Sequence, residues 1–246
     1  MANPGGGLAR DTNADWRKLS VTDPYWGVVT DPSFKGAVLP PDKLQAFYDT
    51  GRQEVAGFVA ELETLLGAPF RASTALDFGC GVGRLAEAMT GHADKVTGYD
   101  IAPGMLELAR ARGGAVRYVD ALPDESFGWI NSYIVFQHIP PERGMVLLGE
   151  LLRRLEPEGV ITLHFTIWRE EQLKVRPWRA AARRMVDLVK PREGLVSMYE
   201  YDLGAILEEL NRHGIFRMIL KSTDHGGHHG VMIVGRRDLT DSSKTH

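Results

Sequence analysis

The sequence has little cysteine and no long apolar stretch. Cys80 is the single cysteine among 246 residues, which excludes an internal disulfide framework and a zinc site built from cysteines alone. No apolar run approaches the ~20 residues of a membrane span. Residues 1–10, with three consecutive glycines, lack the apolar core of a signal peptide. We therefore expect a protein of a reducing compartment, the cytoplasm, with no membrane partner.

A large excess of one charge is also missing. Lys and Arg number 29 and Asp and Glu number 32, a formal net charge of −3, which argues against a protein held by bulk attraction to phosphate backbones. No helix-turn-helix, zinc-finger or aromatic-basic RNA-binding pattern is visible, so nucleic acid is disfavoured as a partner. We find no internal repeat, and the sequence leaves the oligomeric state open.

The amino-terminal third predicts an arm and lid helices over residues 1–70. Residues 11–41 mix large aromatic side chains with Asp-Pro and Pro-Pro turns, which predicts an irregular arm whose aromatics cover another part of the protein. Asp42 offers an N-cap for the amphipathic helix that follows, and Thr50-Gly51 predicts an interruption of that helix.

Residues 71–238 alternate short apolar runs with helical stretches, which is typical of a parallel sheet with crossover helices. Strands are predicted near residues 74–78, 95–99, 115–119, 129–135, 159–166, 215–223 and 230–236. Six residues join the last two strands, too few for a crossover, so these should form an antiparallel hairpin. The predicted class is α/β: a Rossmann-like seven-stranded sheet, mostly parallel with an antiparallel last strand, helices on both faces and an N-terminal helical arm. Residues 239–246 are predicted to be a disordered tail.

A glycine loop follows the first predicted strand. Gly79, Gly81 and Gly83 lie between that strand and a helix beginning near Arg84, where glycine lets a ligand approach the main chain closely. Asp77 places a negative charge immediately before the loop, which favours a cationic ligand over a pyrophosphate.

A second acid ends the second predicted strand. Asp100 lies 21 residues beyond Gly79, the spacing at which a carboxylate can accept both hydroxyls of a ribose. The two acids together predict a ligand with a ribose and a positive charge, without a required phosphate.

The segments Leu76-Asp77-Phe78-Gly79-Cys80-Gly81-Val82-Gly83 and Tyr99-Asp100-Ile101 resemble the class I S-adenosylmethionine-dependent methyltransferases of small-molecule type. The resemblance implies an enzyme that uses S-adenosyl-L-methionine and releases S-adenosyl-L-homocysteine. It implies that the glycine loop accepts the methionine end, that Asp100 holds the ribose and that residues after the second, third and fourth strands line the adenine and the sulfonium. The implied cofactor residues are Asp77, Gly79, Cys80, Gly81, Gly83, Arg84, Asp100, Ile101, Asp120, Ala121 and Phe136.

A hydroxyl, phenol or protonated amine must lose a proton when it is methylated, and histidine is the natural base. His138 follows the fourth strand on the expected rim, although it could equally close the pocket wall. The hairpin between the last two strands carries further histidines, whose alternative interpretation as a metal site matches no standard zinc spacing, so no metal is assigned. The candidates for catalysis are His138, His225 and His229, and those for substrate contact are Tyr25, Trp26, Gln137, Trp168, Tyr199 and His228.

An insertion at about 168–200 carries a local excess of positive charge. Arginines there could clamp an anionic acceptor, or they could form a solvated helix face. The sequence after the fourth strand, Phe136-Gln137-His138-Ile139, lacks the Asn/Asp-Pro-Pro-aromatic motif of nucleobase methylation.

The sequence thus predicts methyl transfer to an oxygen, or a nitrogen, of a small metabolite, and it leaves open whether that metabolite is anionic. Three alternatives stay open. Residues 81–86 fit a loose dinucleotide pattern, so a nicotinamide-dependent oxidoreductase is one. A non-catalytic methyltransferase-like scaffold and an RNA methyltransferase are the others.

Overall fold

A mixed seven-stranded sheet forms the centre of the structure, which is a computed structural model that describes residues 12–170 and 198–238. The strands are β1 (Ala72–Phe78), β2 (Ala93–Tyr99), β3 (Arg117–Val119), β4 (Phe127–Ser132), β5 (Leu155–Arg169), β6 (Arg217–Asp224) and β7 (His228–Arg236). Their order in the sheet is β3-β2-β1-β4-β5-β7-β6. β7 runs antiparallel to both of its neighbours, and the other pairings are parallel. The predicted fold class is confirmed.

Helices cover both faces of the sheet. Those within the described residues are α1 (Thr12–Thr22), α2 (Pro24–Val28), α3 (Pro41–Leu66), α4 (Arg84–Met89), α5 (Pro103–Arg112), α6 (Pro141–Arg153) and α7 (Leu203–Arg212). Because side chains alternate along a strand, Ala75 packs with α3, α4 and α5, whereas Leu76 packs with α6 and α7. Two apolar layers therefore hold the sheet edge rigidly in place.

The fourth strand is shorter than predicted. The pattern placed its end at Val135, but β4 ends at Ser132. Ile134 has a φ of 59°, a left-handed conformation that branched side chains rarely adopt, and the chain leaves the sheet there. The residues after β4 consequently belong to the edge of the sheet and not to its interior.

Helix α3 corrects two further predictions. It begins at Pro41, one residue before the predicted cap, since proline is well suited to the first helical position, and it runs without interruption to Leu66. Gly51 lies inside it for a packing reason: a Cβ there would lie 2.3 Å from the backbone oxygen of Arg84. Glycine therefore allows α3 to pack closely against the start of α4.

The arm is more helical than predicted, because α1 and α2 occupy much of it. Its aromatic residues do cover other parts of the protein: the rings of Tyr25 and Phe34 lie edge-on to Phe47, with centroids 5.2 and 5.3 Å apart. This cluster packs on Val82 of the glycine loop and on Met105 of α5. The arm therefore packs against the glycine loop and stabilises its position.

Most of the predicted insertion, residues 171–197, and the predicted tail, 239–246, lie outside the described residues. Within the described part of the chain, no helix combines the length and the apolar character needed to cross a membrane.

Candidate active site at the carboxyl edge of the sheet

A cavity of about 120 Å³, here called the cleft, opens where β1 and β4 end. This is the point at which the strand order reverses, with β2 and β3 on one side of β1 and β4 to β7 on the other. Open α/β sheets bind ligands at such a switch point. The lining comes from the glycine loop, the end of β2, the segment after β4, and parts of α1, α5 and α6.

The glycine loop is tied to the end of β2. The backbone amides of Gly79 and Cys80 both donate to the carbonyl oxygen of Tyr99, at 2.8 and 2.9 Å. Gly79 has a φ of 78°, and a Cβ there would lie 2.5 Å from Val135. Gly83 has a φ of 82°, and its Cβ would lie 2.1 Å from the hydroxyl of Tyr118. Both positions need glycine because of conformation and space.

A buried hydrogen-bond chain orients Asp77. The indole of Trp129 donates to the Thr162 hydroxyl at 2.9 Å, that hydroxyl donates to the amide oxygen of Asn131 at 2.7 Å, and the Asn131 nitrogen donates to Oδ1 of Asp77 at 2.8 Å. The other carboxylate oxygen, Oδ2, is buried without a hydrogen bond among the described residues. A buried polar atom left in this way indicates a missing partner.

Burial raises the pKa of Asp77 to about 6, although the Asn131 hydrogen bond, the positive charge of Arg84 and the amide of Ala86 oppose the shift. The cause is desolvation, which disfavours the charged carboxylate. A cation in the cleft would stabilise the ionised form.

A cationic group lines the same cleft. Arg84 is 4% exposed, and its guanidinium pairs with Glu54 at 2.8 Å and donates to the hydroxyl of Thr50 at 3.1 Å, both on α3. Its Nε is buried without a partner among the described residues. The cleft thus has one unused acceptor, on Asp77, and one unused donor, on Arg84. An amino-acid zwitterion carries the matching ammonium and carboxylate.

Asp100 bridges the glycine loop and the start of α5. Its Oδ2 accepts from the amide of Gly81 at 2.9 Å and its Oδ1 from the amide of Ala102 at 2.8 Å. Burial raises its pKa. A carboxylate offers about four lone-pair sites, so two remain for other donors, such as the hydroxyls of a ribose. Ile101 follows it in the lining.

The rim after β4 meets helix α1 across the mouth of the cleft. The ring of Trp16 lies edge-on to His138, with centroids 5.0 Å apart, and Arg143 donates to the side-chain oxygen of Asn13 at 3.2 Å. All four side chains line the cleft, as does Tyr133. Burial raises the pKa of Tyr133 to about 12, so its phenol stays protonated near neutral pH.

The structure brings most of the predicted cofactor residues together at the cleft, and their role in binding stays a prediction. Those that line it are Asp77, Gly79, Cys80, Gly81, Arg84, Asp100 and Ile101, together with the predicted base His138. Four others do not. Gly83 lies against Tyr118, Phe136 is wholly buried between Phe78 and Phe165, and Asp120 and Ala121 are exposed beyond β3.

The remaining predicted histidines lie elsewhere, at what we call the hairpin end: Trp168 with residues 224–229. Gly226 and Gly227 have φ values of 68° and 85°, as a two-residue turn of type I′ requires. The ring of His229 stacks on Trp168 at 3.9 Å. Burial lowers the pKa of His228, and His225 is exposed. None of these residues lines the cleft.

The other predicted substrate residues do not line the cleft, and their role in substrate contact stays a prediction. Tyr25, in the arm, is buried against Phe47. Lys35 lies 5.7 Å above the ring of Trp26, and the amide of Tyr199 donates to the carbonyl oxygen of Gln137 at 2.7 Å. Gln137 itself is buried beside His138.

Sequence reasoning missed two kinds of residue. Asn13 and Trp16 reach the cleft because α1 lies across its mouth, and Arg143 reaches it from the first turn of α6; no local pattern reveals either placement. His164 on β5 is wholly buried, with Nε2 2.8 Å from the hydroxyl of Thr223. Burial and the neighbouring His225 lower its pKa to about 3. Among the described residues, no group of three or more histidine, cysteine or acidic side chains is arranged to hold a metal.

Fold and cleft together define a Rossmann-like α/β protein with a candidate ligand site at the switch point of its sheet. Residues 76–163 match the family described as "Methyltransferase domain". A curated relative, the malonyl-[acyl-carrier protein] O-methyltransferase of Serratia marcescens, is 33% identical over 105 residues. That span is 39% of this chain and 39% of the relative, so the chain matches about two fifths of the relative's length.

Solved structures resemble the fold over most of the chain. Magnesium protoporphyrin IX methyltransferase from Synechocystis PCC 6803, with bound S-adenosylhomocysteine, is 15% identical with a TM-score of 0.61, covering 93% of this chain and 100% of that one. The N-methyltransferase NodS of Bradyrhizobium japonicum WM9 is 14% identical with a TM-score of 0.57, covering 93% and 100%. Residues 76–163 therefore resemble a methyltransferase domain, and the solved structures share the fold of this chain.

Proposed function

We propose that this protein transfers the methyl group of S-adenosylmethionine to an oxygen, or a nitrogen, of a small anionic molecule. The observation that supports this most is the pair of buried, unused polar atoms in one cleft, Oδ2 of Asp77 and Nε of Arg84. They match the charges of a methionine end. Asp100 and Ile101 lie in the same lining, where a ribose and an adenine would follow.

Each part of the cofactor has residues that fit it. Asp77 would accept from the ammonium group, and Arg84 would donate to the carboxylate. Asp100, held by two backbone amides, would accept from the ribose hydroxyls. When bound, S-adenosylmethionine supplies a methyl group on a positively charged sulfur.

The protein's contribution to the reaction would be orientation and the exclusion of water. Methyl transfer is an in-line displacement, for which positioning of the reactants supplies much of the acceleration. Helix α1 lies across the mouth of the cleft through Trp16 and Asn13. We propose that residues 1–70 act as a cover and residues 71–238 as the transferase domain.

An anionic acceptor is proposed because Arg143 lines the mouth of the cleft, where a guanidinium can bind a carboxylate or phosphate through two hydrogen bonds. The named relatives include both an O-methyltransferase and an N-methyltransferase.

Cys80 is a free and buried thiol, which agrees with action in the cytoplasm.

A labelled methyl donor tests the proposal. The protein is incubated with methyl-labelled S-adenosylmethionine and a panel of small carboxylates, phosphates, phenols and amines, and transfer of the label is counted. The matched control is Asp100→Ala, which should weaken cofactor binding by roughly 1.5–3 kcal/mol, the loss of a charge-assisted hydrogen bond. Undiminished cofactor affinity in this variant would contradict the proposed site.

A further inference from the structure

His138 is joined to a buried side-chain network at the rim of the cleft. Its Nε2 lies 3.1 Å from the side-chain nitrogen of Gln137. The side-chain oxygen of Gln137 accepts from the hydroxyl of Thr166, on β5, at 2.8 Å. Gln137 is 5% exposed and Thr166 is fully buried, so water cannot substitute readily for either partner.

This network fixes which way the Gln137 amide faces. A threonine hydroxyl has one hydrogen to donate, and the Gln137 oxygen is the partner of the Thr166 hydroxyl among the described residues. With the amide reversed, that hydroxyl would accept from nitrogen and its own hydrogen would be buried without an acceptor, which is costly. The amide nitrogen therefore faces His138.

The direction of the second hydrogen bond follows. An amide nitrogen donates and cannot accept, so Nε2 of His138 is the acceptor and carries no hydrogen. The hydrogen of the neutral ring then lies on Nδ1. Neither ring nitrogen has a lone pair to offer an incoming proton, because one pair is used by Gln137 and the other nitrogen is already protonated.

Among the residues that the structure describes, the other groups that line the cleft offer no base to an acceptor. Tyr133 keeps its phenolic proton, burial raises the pKa of the Cys80 thiol, and Arg84 and Arg143 are cations. Asp77 and Asp100 are the carboxylates that would hold the cofactor.

We infer that His138 is held as the neutral ring with its hydrogen on Nδ1, that it takes no proton from the acceptor, and that the acceptor enters already deprotonated, as a carboxylate paired with Arg143. This rests on the proposed methyltransferase function. In the transfer a carboxylate oxygen forms the new bond to carbon, the sulfur–methyl bond breaks with its electrons returning to sulfur, and no proton is released. The products are a methyl ester and a neutral thioether.

The ring hydrogen can be observed without cofactor or acceptor. Long-range proton–nitrogen NMR spectra of protein labelled at histidine nitrogen distinguish the two neutral forms, and the His138 signals are assigned by their loss in His138→Asn. We expect hydrogen on Nδ1 in the wild type and a mixture of both forms in Gln137→Leu, which removes the donor. Hydrogen on Nε2 in the wild type would overturn the inference.

Turnover gives a second test. Asparagine places an amide nitrogen near the position of Nδ1 but cannot act as a base. We expect His138→Asn to keep methyl transfer to carboxylates within about fivefold of the wild type, whereas loss of a general base costs roughly 100-fold or more. Arg143→Gln should raise the KM for carboxylates while Arg143→Lys raises it less, with cofactor affinity unchanged in both.

Cofactor binding and the effect of His138→Asn distinguish a failure of the proposed function from a failure of the inference about His138. If calorimetry shows no binding of S-adenosylmethionine, the proposed function fails. If the cofactor binds but phenols or amines are methylated in a reaction that His138→Asn abolishes, only the inference about His138 fails.

Discussion

The cleft and the hairpin end lie on the same edge of the sheet, yet they use their polar groups differently. At the cleft, Asp77 and Arg84 each keep one buried polar atom without a partner beside an open cavity. At the hairpin end, Asp224 accepts from the amide of Gly227 at 2.8 Å and the amide of His225 donates to the carbonyl oxygen of His228 at 3.0 Å. These groups complete a turn.

Nδ1 of His228 and Nε2 of His229 at the hairpin end are also buried without a hydrogen bond among the described residues, but neither residue lines the cleft. An unsatisfied acid that faces a cavity is therefore stronger evidence of a ligand site than a cluster of histidines away from it. The sequence has three histidines within five residues, His225, His228 and His229, and these were predicted to act in catalysis or substrate contact. The structure uses the ring of one against Trp168 and places another edge-on to Tyr133 and His164. Buried polar atoms that face a cavity have a stronger requirement for a partner.

The largest expected effect compares a glycine in each region. Gly83→Ala places a methyl group 2.1 Å from the Tyr118 hydroxyl at a φ of 82°, so overpacking and backbone strain should lower the free energy of unfolding by about 2–4 kcal/mol. Gly226→Ala, at a φ of 68° with nothing within 4 Å, should lose only about 1–2 kcal/mol. Urea unfolding measures both. Equal losses would show that space around the glycine loop is not limiting.

Replacing one carboxylate at the cleft and one at the hairpin end distinguishes an effect on cofactor affinity from an effect on stability. Asp77→Asn should weaken S-adenosylmethionine binding by about 1.5–3 kcal/mol because a charged hydrogen bond is lost. It should not lower the melting temperature at pH 8, because it removes a buried charge. Asp224→Asn is the matched control at the hairpin end and should leave the affinity unchanged. Calorimetric titration and thermal unfolding of both variants check these outcomes.

Cofactor affinity should fall in acid. The pKa of Asp77 is raised to about 6, so below that pH the proton competes with a cationic ligand, and the affinity should fall by up to about tenfold for each pH unit. Without ligand, the free energy of unfolding depends on pH in the opposite direction. The stabilisation that comes from the raised pKa of Asp77 is fully present below the pKa of this carboxyl in the unfolded chain, and it is lost as the pH rises through about 6. Titrations between pH 5 and 8 check this, with Asp77→Asn expected to flatten the profile.

The smallest effect is expected at the hairpin end. His225→Ala and His229→Ala should change cofactor affinity by less than about twofold, since neither residue lines the cleft. Removing His229 should cost about 1 kcal/mol of unfolding free energy from its stacking on Trp168. A large loss of affinity in either variant would place the hairpin end within the binding site.

Much of the fold was predictable because its signals are local. Alternating apolar runs located all seven strands, and the short connection before β7 predicted the antiparallel hairpin. The glycine loop and Asp100 were predictable because glycines indicate where the chain turns and because Asp100 directly follows an apolar strand. The two wrong predictions also have local causes. The fourth strand ends before the predicted Val135 because Ile134 adopts a left-handed backbone that its residue type does not favour. The predicted break at Gly51 is absent because that glycine allows α3 to pack closely against α4.

The rest of the site depends on contacts between distant segments. Trp16 approaches His138 because α1 crosses the sheet edge, and the apolar pattern of α1 does not encode that crossing. The hydrogen bond from Thr166, on β5, to Gln137, in the segment after β4, joins two residues that are 29 positions apart in the sequence. The sequence therefore identified His138 but could not reveal how its ring is held.

Calorimetric titration with S-adenosylmethionine and S-adenosylhomocysteine, with NADH and NADPH as controls, shows which cofactor the cleft binds. We expect micromolar binding of the first pair, largely lost in Asp77→Asn, and no binding of the second pair. Binding of a nicotinamide cofactor, or of neither pair, would contradict the assignment of the cleft.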